Sequence, residues 1–326
     1  MEKQNTESRR AVPVKMIWML VSIGILLSCL ISLIGMMGSR FNARMLNNIF
    51  LVSVSVLMAA LGAGFCWARG CINLSLPGTM SISALVFALA SNDGMGFFPA
   101  MLLAVLTGAV FGSLTGIFAI QRSRKIQLVT ALSSLLVGIM ATGIASEISL
   151  SEGTGILKAE VARGTETTIA IIWIMLAIGL CFAGAAGGAR LFHTFESDTS
   201  EVTGGNRFLW SLVAGVLAAL AGVYQTARLR TYAIGSYSDT YQMVTVFFVL
   251  ITAGILIPNM RKSYSEALFG FLSVIFAALS HGTINMLCSY LGATSAILYS
   301  IYGIVGLLLL IPNILIYKSR KDPIQE

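Results

Sequence analysis

The side chains able to do chemistry in this chain are few, and those lying deep in its apolar segments are almost all uncharged. Asn73, Ser75, Gln225, His281, Thr283 and Asn285 sit within long apolar runs, whereas Glu147, Glu266 and Arg69 sit at the edges of such runs. Amides, hydroxyls and a neutral imidazole exchange hydrogen bonds without a counter-ion, which is the chemistry of holding an uncharged polar solute. An ion-coupled carrier needs the opposite, a carboxylate or guanidinium kept inside a span at a cost of about 2.5–3.5 kcal/mol. The sequence gives such a mechanism little to work with.

Enzyme chemistry is equally poorly supplied. There is no G-x-x-x-x-G-K-[ST] phosphate loop, so any ATP hydrolysis belongs to a separate chain. No H-E-x-x-H or G-x-S-x-G is present, and the four aspartates (Asp93, Asp198, Asp239, Asp322) form no pair for a diphosphate and magnesium. The five cysteines, Cys29, Cys66, Cys71, Cys181 and Cys288, include no C-x-x-C pair and no Cys/His cluster with zinc spacing. Free buried thiols, no metal and no cofactor are the expectation.

The elements that must position these groups follow from composition. Of 326 residues, 56% are hydrophobic and 11% charged, against about 25% charged in an ordinary soluble domain. That scarcity excludes a nucleic-acid surface as well as a water-soluble fold. A helix crossing about 30 Å of hydrocarbon needs roughly 20 apolar residues. Uncharged segments of that kind fall near 16–38, 48–68, 71–91, 97–120, 126–146, 167–189, 208–227 and 241–260. A last apolar stretch, 267–317, is too long for one span, and its polar interruption at 280–285 divides it near 267–284 and 293–317. The fold expected is all-α and polytopic with ten transmembrane helices. The first run is longer than a signal-peptide core and lacks a small-x-small cleavage site, so it reads as an uncleaved span.

Charge sets the orientation. With ten crossings and the N-terminus inside, fifteen cations fall on the cytoplasmic side: Lys3, Arg9, Arg10, Lys15, Arg69, Arg122, Arg124, Lys125, Arg190, Arg207, Arg261, Lys262, Lys318, Arg320 and Lys321. Arg40, Arg44, Lys158, Arg163, Arg228 and Arg230 fall outside. The bias places both termini in the cytoplasm and divides the chain into a basic tail at 1–15, a membrane domain at 16–317 and a second tail at 318–326.

Three segments ask for more than a membrane anchor. The cytoplasmic loop 190–207 carries Glu196, Asp198 and Glu201 beside Phe195 and Val202, then Thr203, with Gly204-Gly205 as a helix stop. It is either a short docking helix or a solvated connector. The stretch from Gly70 to Met80 breaks two apolar runs with Asn73, Ser75, Pro77 and Gly78, and reads either as an unwound helix bordering a cavity or as a tight turn. Small residues from Ala214 to Gly222 recur at spacings of three and four, which favours helix packing over solute contact.

At two of these segments the chain resembles the branched-chain amino acid/simple sugar class of ABC importer permeases, whose ribose-type and nucleoside-type members carry a Gly-x-(Asp/Asn)-(Leu/Ile)-Ser element after the second span. Gly70, Asn73, Leu74, Ser75, Gly78 and Met80 match it, with Pro77 standing where an acidic residue would be. The family's coupling segment is matched by Glu196, Thr203 and Gly204, although its paired alanines are Ser200 and Glu201 here. The following Leu-Ala-x-Leu-Ala-Gly is matched by Leu217, Ala218, Leu220, Ala221 and Gly222. The family's glycine-rich loop after the eighth span is reduced to Ala253-Gly254.

The resemblance covers about residues 45–315. It implies a multi-pass bacterial inner-membrane permease that pairs with a second permease (a different one being favoured by the degraded motifs), an ABC ATPase and an extracytoplasmic solute-binding protein. It implies ATPase coupling through Glu196, Asp198, Glu201, Thr203, Gly204 and Gly205. Asn73, Ser75, Gly78, His281, Thr283 and Asn285 would border a path for a neutral polar solute such as a simple sugar, a nucleoside or a riboflavin-like vitamin. The rival is a ten-helix drug/metabolite-type secondary carrier, which should show two similar five-helix halves. Comparing 16–146 with 167–317 reveals no convincing repeat.

Overall fold

A computed structural model describes residues 14–120, 126–152, 156–161, 165–188, 204–233, 239–254 and 264–318. Over these residues the chain is an all-α polytopic membrane protein. Its ten helices are α1 (Val14–Met37), α2 (Ala43–Trp67), α3 (Leu76–Asn92), α4 (Phe97–Ala119), α5 (Ile126–Ser151), α6 (Thr165–Gly188), α7 (Gly204–Leu229), α8 (Asp239–Thr252), α9 (Tyr264–Tyr290) and α10 (Ser295–Lys318). Two short strands, β1 (Ile156–Lys158) and β2 (Thr231–Ala233), pair antiparallel.

Six helices (α1, α2, α4, α5, α7 and α9) contain runs long and apolar enough to cross a membrane, and the other four carry shorter apolar runs. The expected ten segments are all helical, but three boundaries differ. The polar run at 280–285 does not divide two spans, because α9 continues through it to Tyr290. Ser280 and Thr283 hydroxyls donate to the carbonyls of Phe276 and Leu279 one turn back, so their polarity is met within the helix. The turn comes instead around Gly292, at φ +67°. Further upstream, α8 ends at Thr252, short of 260. Residues 71–75, counted as part of a span, are non-helical, and α3 starts only at Leu76.

The bundle is centred on α2, which is buried almost continuously from Leu51 to Cys66. It packs against α7, α9, α8 and α6. Peripheral helices show the inverse pattern expected in lipid. On α4 the large side chains Phe98, Leu102, Leu106, Val110 and Ile117 face outward, while Ala100, Ala104, Gly108, Gly112 and Gly116 face inward. Lipid tails are as apolar as leucine, so close backbone approach rather than water exclusion holds such helices together.

α4 and α7 approach closely through glycine on both sides. A Cβ placed on Gly215 would lie 2.3 Å from the Gly108 carbonyl oxygen and 2.6 Å from Gly112 Cα. The small-residue stripe on α7 therefore serves packing, as its spacing indicates, and Gly222 extends it onto α3 at Met80.

The strand pair ties the α5–α6 connection to the α7–α8 connection across α3. The Tyr232 hydroxyl lies 3.0 Å from Ser81 Oγ, and the Ser91 hydroxyl donates to the Glu160 carbonyl at 3.0 Å. Burial pushes the Tyr232 phenol upward, against a smaller opposing effect of the Ser81 hydrogen bond, so it stays neutral.

Candidate functional site

The site begins where α2 stops. Gly70, at φ +73°, takes the left-handed conformation that ends the helix, with Gly70 N donating to Trp67 O and Cys71 N donating to Cys66 O. This paired closure is the Schellman arrangement, which a β-carbon would strain. The helix does not resume for five residues. Cys71, Asn73 and Ser75 are nevertheless buried.

Non-helical backbone in that position must find hydrogen bonds from side chains, and α5 supplies them. Ile72 N donates to Thr130 Oγ1 at 3.2 Å and Leu74 N to Ser134 Oγ at 2.9 Å, while Ser134 Oγ donates to Ile72 O at 3.2 Å. Asn73 completes the turn locally, its Oδ1 accepting from Ser75 N at 3.0 Å and from Ser75 Oγ at 2.7 Å. Pro77 falls in the first turn of α3, where a missing N–H costs nothing, which gives a physical reason for proline at that position. The segment is therefore longer than a tight turn, with five residues of non-helical backbone held by α5.

Ser134→Ala is expected to cost about 1–3 kcal/mol, because it leaves the Leu74 N–H buried without an acceptor. Thermal unfolding of the detergent-solubilised variant would measure this. A melting temperature equal to the parent's would show that water reaches the unwound segment.

Asn73 lines a small cavity between α2, α3 and α8, and its remaining walls are Ala63, Trp67, Ile72, Leu76, Pro77, Met243, Val246, Phe247 and Leu250. The Asn73 amide nitrogen Nδ2 is buried, and the amide lies beside the Cys66 thiol of α2.

The expected path residues divide into two groups. Asn73, Ser75 and Gly78 share the α2–α3 break. Of these only Asn73 lines the cavity, while Gly78 packs so tightly on α5 that an added Cβ would lie 2.1 Å from Gly138 O. His281, Thr283 and Asn285 lie on α9 and are not among the cavity-lining residues. His281 is buried against the Tyr302 ring, with centroids 5.1 Å apart, and Tyr302 in turn packs on Phe248 of α8. Next to it, Gly282 lets α9 close on Ile49 and Ser53 of α2.

The α8 wall is absent from the sequence reading. Met243, Val246, Phe247 and Leu250 recur at i, i+3, i+4 and i+7, the spacing of one helical face. That signal was available, but every face of an apolar helix carries similar residues, so nothing in the pattern points it inward.

Of the expected coupling residues, Glu196, Asp198, Glu201 and Thr203 lie outside the described residues. Gly204 and Gly205 were expected to stop a helix, yet they open α7. The reason is steric: a Cβ on Gly204 would meet Ile120 O at 2.7 Å, so glycine lets α7 begin against the end of α4.

Near this end two arginines are buried, Arg69 and Arg207. Arg69 lies over the Trp210 ring of α7 at 5.0 Å, and Phe65 packs on the same indole at 4.7 Å. A cation on an indole face is worth about 2 kcal/mol when desolvated. This arginine, placed by the sequence at a span edge, thus joins α2 to α7.

No family model matches the chain. It is similar to the fructose import permease protein FruG of Bifidobacterium longum (strain NCC 2705), with 23% identity over 250 residues that make up 67% of this chain and 71% of that protein. Among solved structures it is similar to a chain of PsaBC from Streptococcus pneumoniae in complex with Fab, at a TM-score of 0.42 and 16% identity, with 87% of this chain and 95% of that chain covered.

Proposed function

We propose that the chain is the membrane-spanning permease subunit of an ABC importer for a neutral polar solute, forming one half of a translocation path. The observation that carries this reading is the break between α2 and α3. It brings one buried, uncharged polar group, Asn73, to the wall of a cavity that is otherwise apolar. Such a site can bind an uncharged solute but offers no proton or sodium ion a carboxylate, so the energy for transport comes from elsewhere. The similarity to an import permease over two thirds of the chain supports the same reading.

On this reading a cytoplasmic ATPase supplies the energy, a solute-binding protein delivers the solute, and a second permease, a different one being favoured, completes the path. The bacterial plasma membrane is its location, with both termini cytoplasmic. The acidic segment Glu196, Asp198 and Glu201, with Thr203, Gly204 and Gly205, contacts the ATPase immediately before α7. Because α7 packs on α2, α3 and α4, a push on its first turn reaches both walls of the α2–α3 break.

The test is affinity purification of the tagged chain in mild detergent, with identification of what stays bound. An ATPase should copurify, and Glu196→Lys, Asp198→Lys and Glu201→Lys together should release it or uncouple its hydrolysis from uptake. A chain that purifies alone and transports in ATP-free vesicles would replace this reading with the secondary carrier.

A further inference from the structure

The end of the bundle at which α2 stops and α7 starts holds two buried guanidiniums, Arg69 and Arg207. We propose that these two arginines and the first turn of α7 form a site for a phosphate group, carried by the headgroup of an acidic phospholipid. The site does not depend on which solute the chain moves.

Arg69 is 3% exposed, and its Nε is buried with no hydrogen-bond partner. Its guanidinium lies over the face of the Trp210 ring and interacts electrostatically with the Cys66 thiol. Neither neighbour offers an oxygen to a group that presents five N–H donors in a planar fork. A cation withdrawn from water is costly unless an anion and further hydrogen bonds meet it. Phosphate oxygens match that fork in charge and in geometry.

The second cation comes from α7. Arg207, 4% exposed, lies three residues before Trp210 and so on the same side of the helix. Its charge acts on the Cys71 thiol, which interacts in turn with Cys66, the electrostatic neighbour of Arg69. Both guanidiniums therefore flank the turn that closes α2, where like charges repel unless an anion joins them.

The start of α7 adds backbone donors. A helix N-terminus carries unsatisfied N–H groups and the positive end of the dipole, and Gly204 and Gly205 have no side chains to cap it. The two glycines differ in their surroundings. Gly204 is closed off by Ile120, whereas a Cβ on Gly205 would meet nothing within 4 Å, which leaves room for a ligand. Helical side chains lean toward the N-terminus of their helix, so the Trp210 indole brings Arg69 toward that opening.

Depth favours a lipid over a soluble anion. Arg69 follows directly on the span that ends at Trp67, and Arg207 lies in the opening turn of the span Gly204–Leu229, the level at which headgroups meet the hydrocarbon. At the same end the chain leaves Ile120 through Arg122, Arg124 and Lys125 in sequence. Cations clustered beside a span attract anionic lipid.

The experiment is native mass spectrometry of the full-length chain, with any copurifying partners, delipidated in detergent and titrated with phosphatidylglycerol, phosphatidylcholine or inorganic phosphate. Phosphatidylglycerol should bind saturably, with its dissociation constant raised about tenfold in Arg69→Gln by loss of a charge-assisted hydrogen bond. Because a buried arginine also supports packing, Gly205→Asp provides an independent variant on the open side. Its carboxylate should occupy the helix end and weaken phosphatidylglycerol by about the same factor, without lowering the melting temperature.

Equal affinity for phosphatidylcholine and phosphatidylglycerol, or binding indifferent to both variants, would overturn the site. Inorganic phosphate bound with the same dependence on Arg69, in place of phosphatidylglycerol, would overturn the lipid and keep the phosphate. Lipid binding that appears only when Glu196→Gln, Asp198→Asn and Glu201→Gln are combined would mean that the chain's own carboxylates hold the arginines, and would overturn the lipid site as well.

Discussion

Replacing Gly215 by alanine is expected to destabilise the protein by about 3 kcal/mol, the upper end of the cost of one inserted methyl in a packed interface. The new Cβ has nowhere to go. Its neighbours at 2.3 and 2.6 Å are the Gly108 carbonyl oxygen and the Gly112 Cα, both backbone atoms of α4, and no side-chain rotamer change can relieve the contact. Only a shift of α4 away from α7 would, and that shift would also open the contacts of Gly112 with Ser211 and of Gly116 with Phe208.

The control is Gly179→Ala on α6, where an added Cβ meets nothing within 4 Å. In that exposed helical position the substitution should gain about 0.5–1 kcal/mol by restricting the unfolded backbone. Thermal unfolding of both variants in one detergent measures the contrast. Equal melting temperatures would mean that α4 and α7 are not in backbone contact.

The helices were legible in the sequence because burial in a bilayer is written as uninterrupted apolarity, and every charge-free segment near 20 residues became a helix. What that signal cannot carry is direction. In α8 the cavity-lining Phe247 and its neighbour Phe248, which packs on Tyr302, have the same hydropathy and opposite destinations. Polarity was a better guide to the α2–α3 break, where Gly70, Asn73, Ser75 and Pro77 each fit a turn or helix-terminus role. It misled at 280–285, because hydroxyls can be satisfied by their own helix and so need not mark a turn.

Charge misled in a different way. Lys15 and Glu266 were counted as a tail cation and a span-edge carboxylate, but both are buried, at 1% and 2% exposure, from segments some 250 positions apart in sequence. Neither spacing nor composition could pair them. They interact electrostatically beside the end of α8, where backbone carbonyls also need partners.

That requirement leads to the second large effect, at the end of α8. The last carbonyls of a helix have no partner within it, and here neighbouring helices meet three at and just beyond its end. The Ser22 hydroxyl of α1 donates to Thr252 O at 2.9 Å, the Ser273 hydroxyl of α9 to Ala253 O at 2.6 Å, and the Lys15 ammonium to Gly254 O at 2.5 Å. Gly254, at φ +62°, is glycine for two reasons, since its backbone turns left-handed and an added Cβ would lie 2.3 Å from the Trp18 ring. Lys15 thereby sets a positive charge at the negative end of the α8 dipole, and it interacts electrostatically with Glu266 in the first turn of α9.

Lys15→Met should therefore destabilise by about 3–5 kcal/mol, because it removes the charge that favours the buried Glu266 carboxylate and strips the cap from Gly254. Glu266→Gln should also cost several kcal/mol by removing the carboxylate that favours the buried Lys15 ammonium. In the double variant the two losses should overlap, since each single change removes the same mutual interaction. A double-mutant cycle on thermal or denaturant unfolding in detergent gives the coupling directly. A coupling of 1 kcal/mol or more, of the sign that makes the double variant less costly than the sum, is the expected result. Strict additivity would mean that Lys15 and Glu266 hold α1 and α9 independently, and that α8 is capped by the hydroxyls of Ser22 and Ser273 without help from the charge pair.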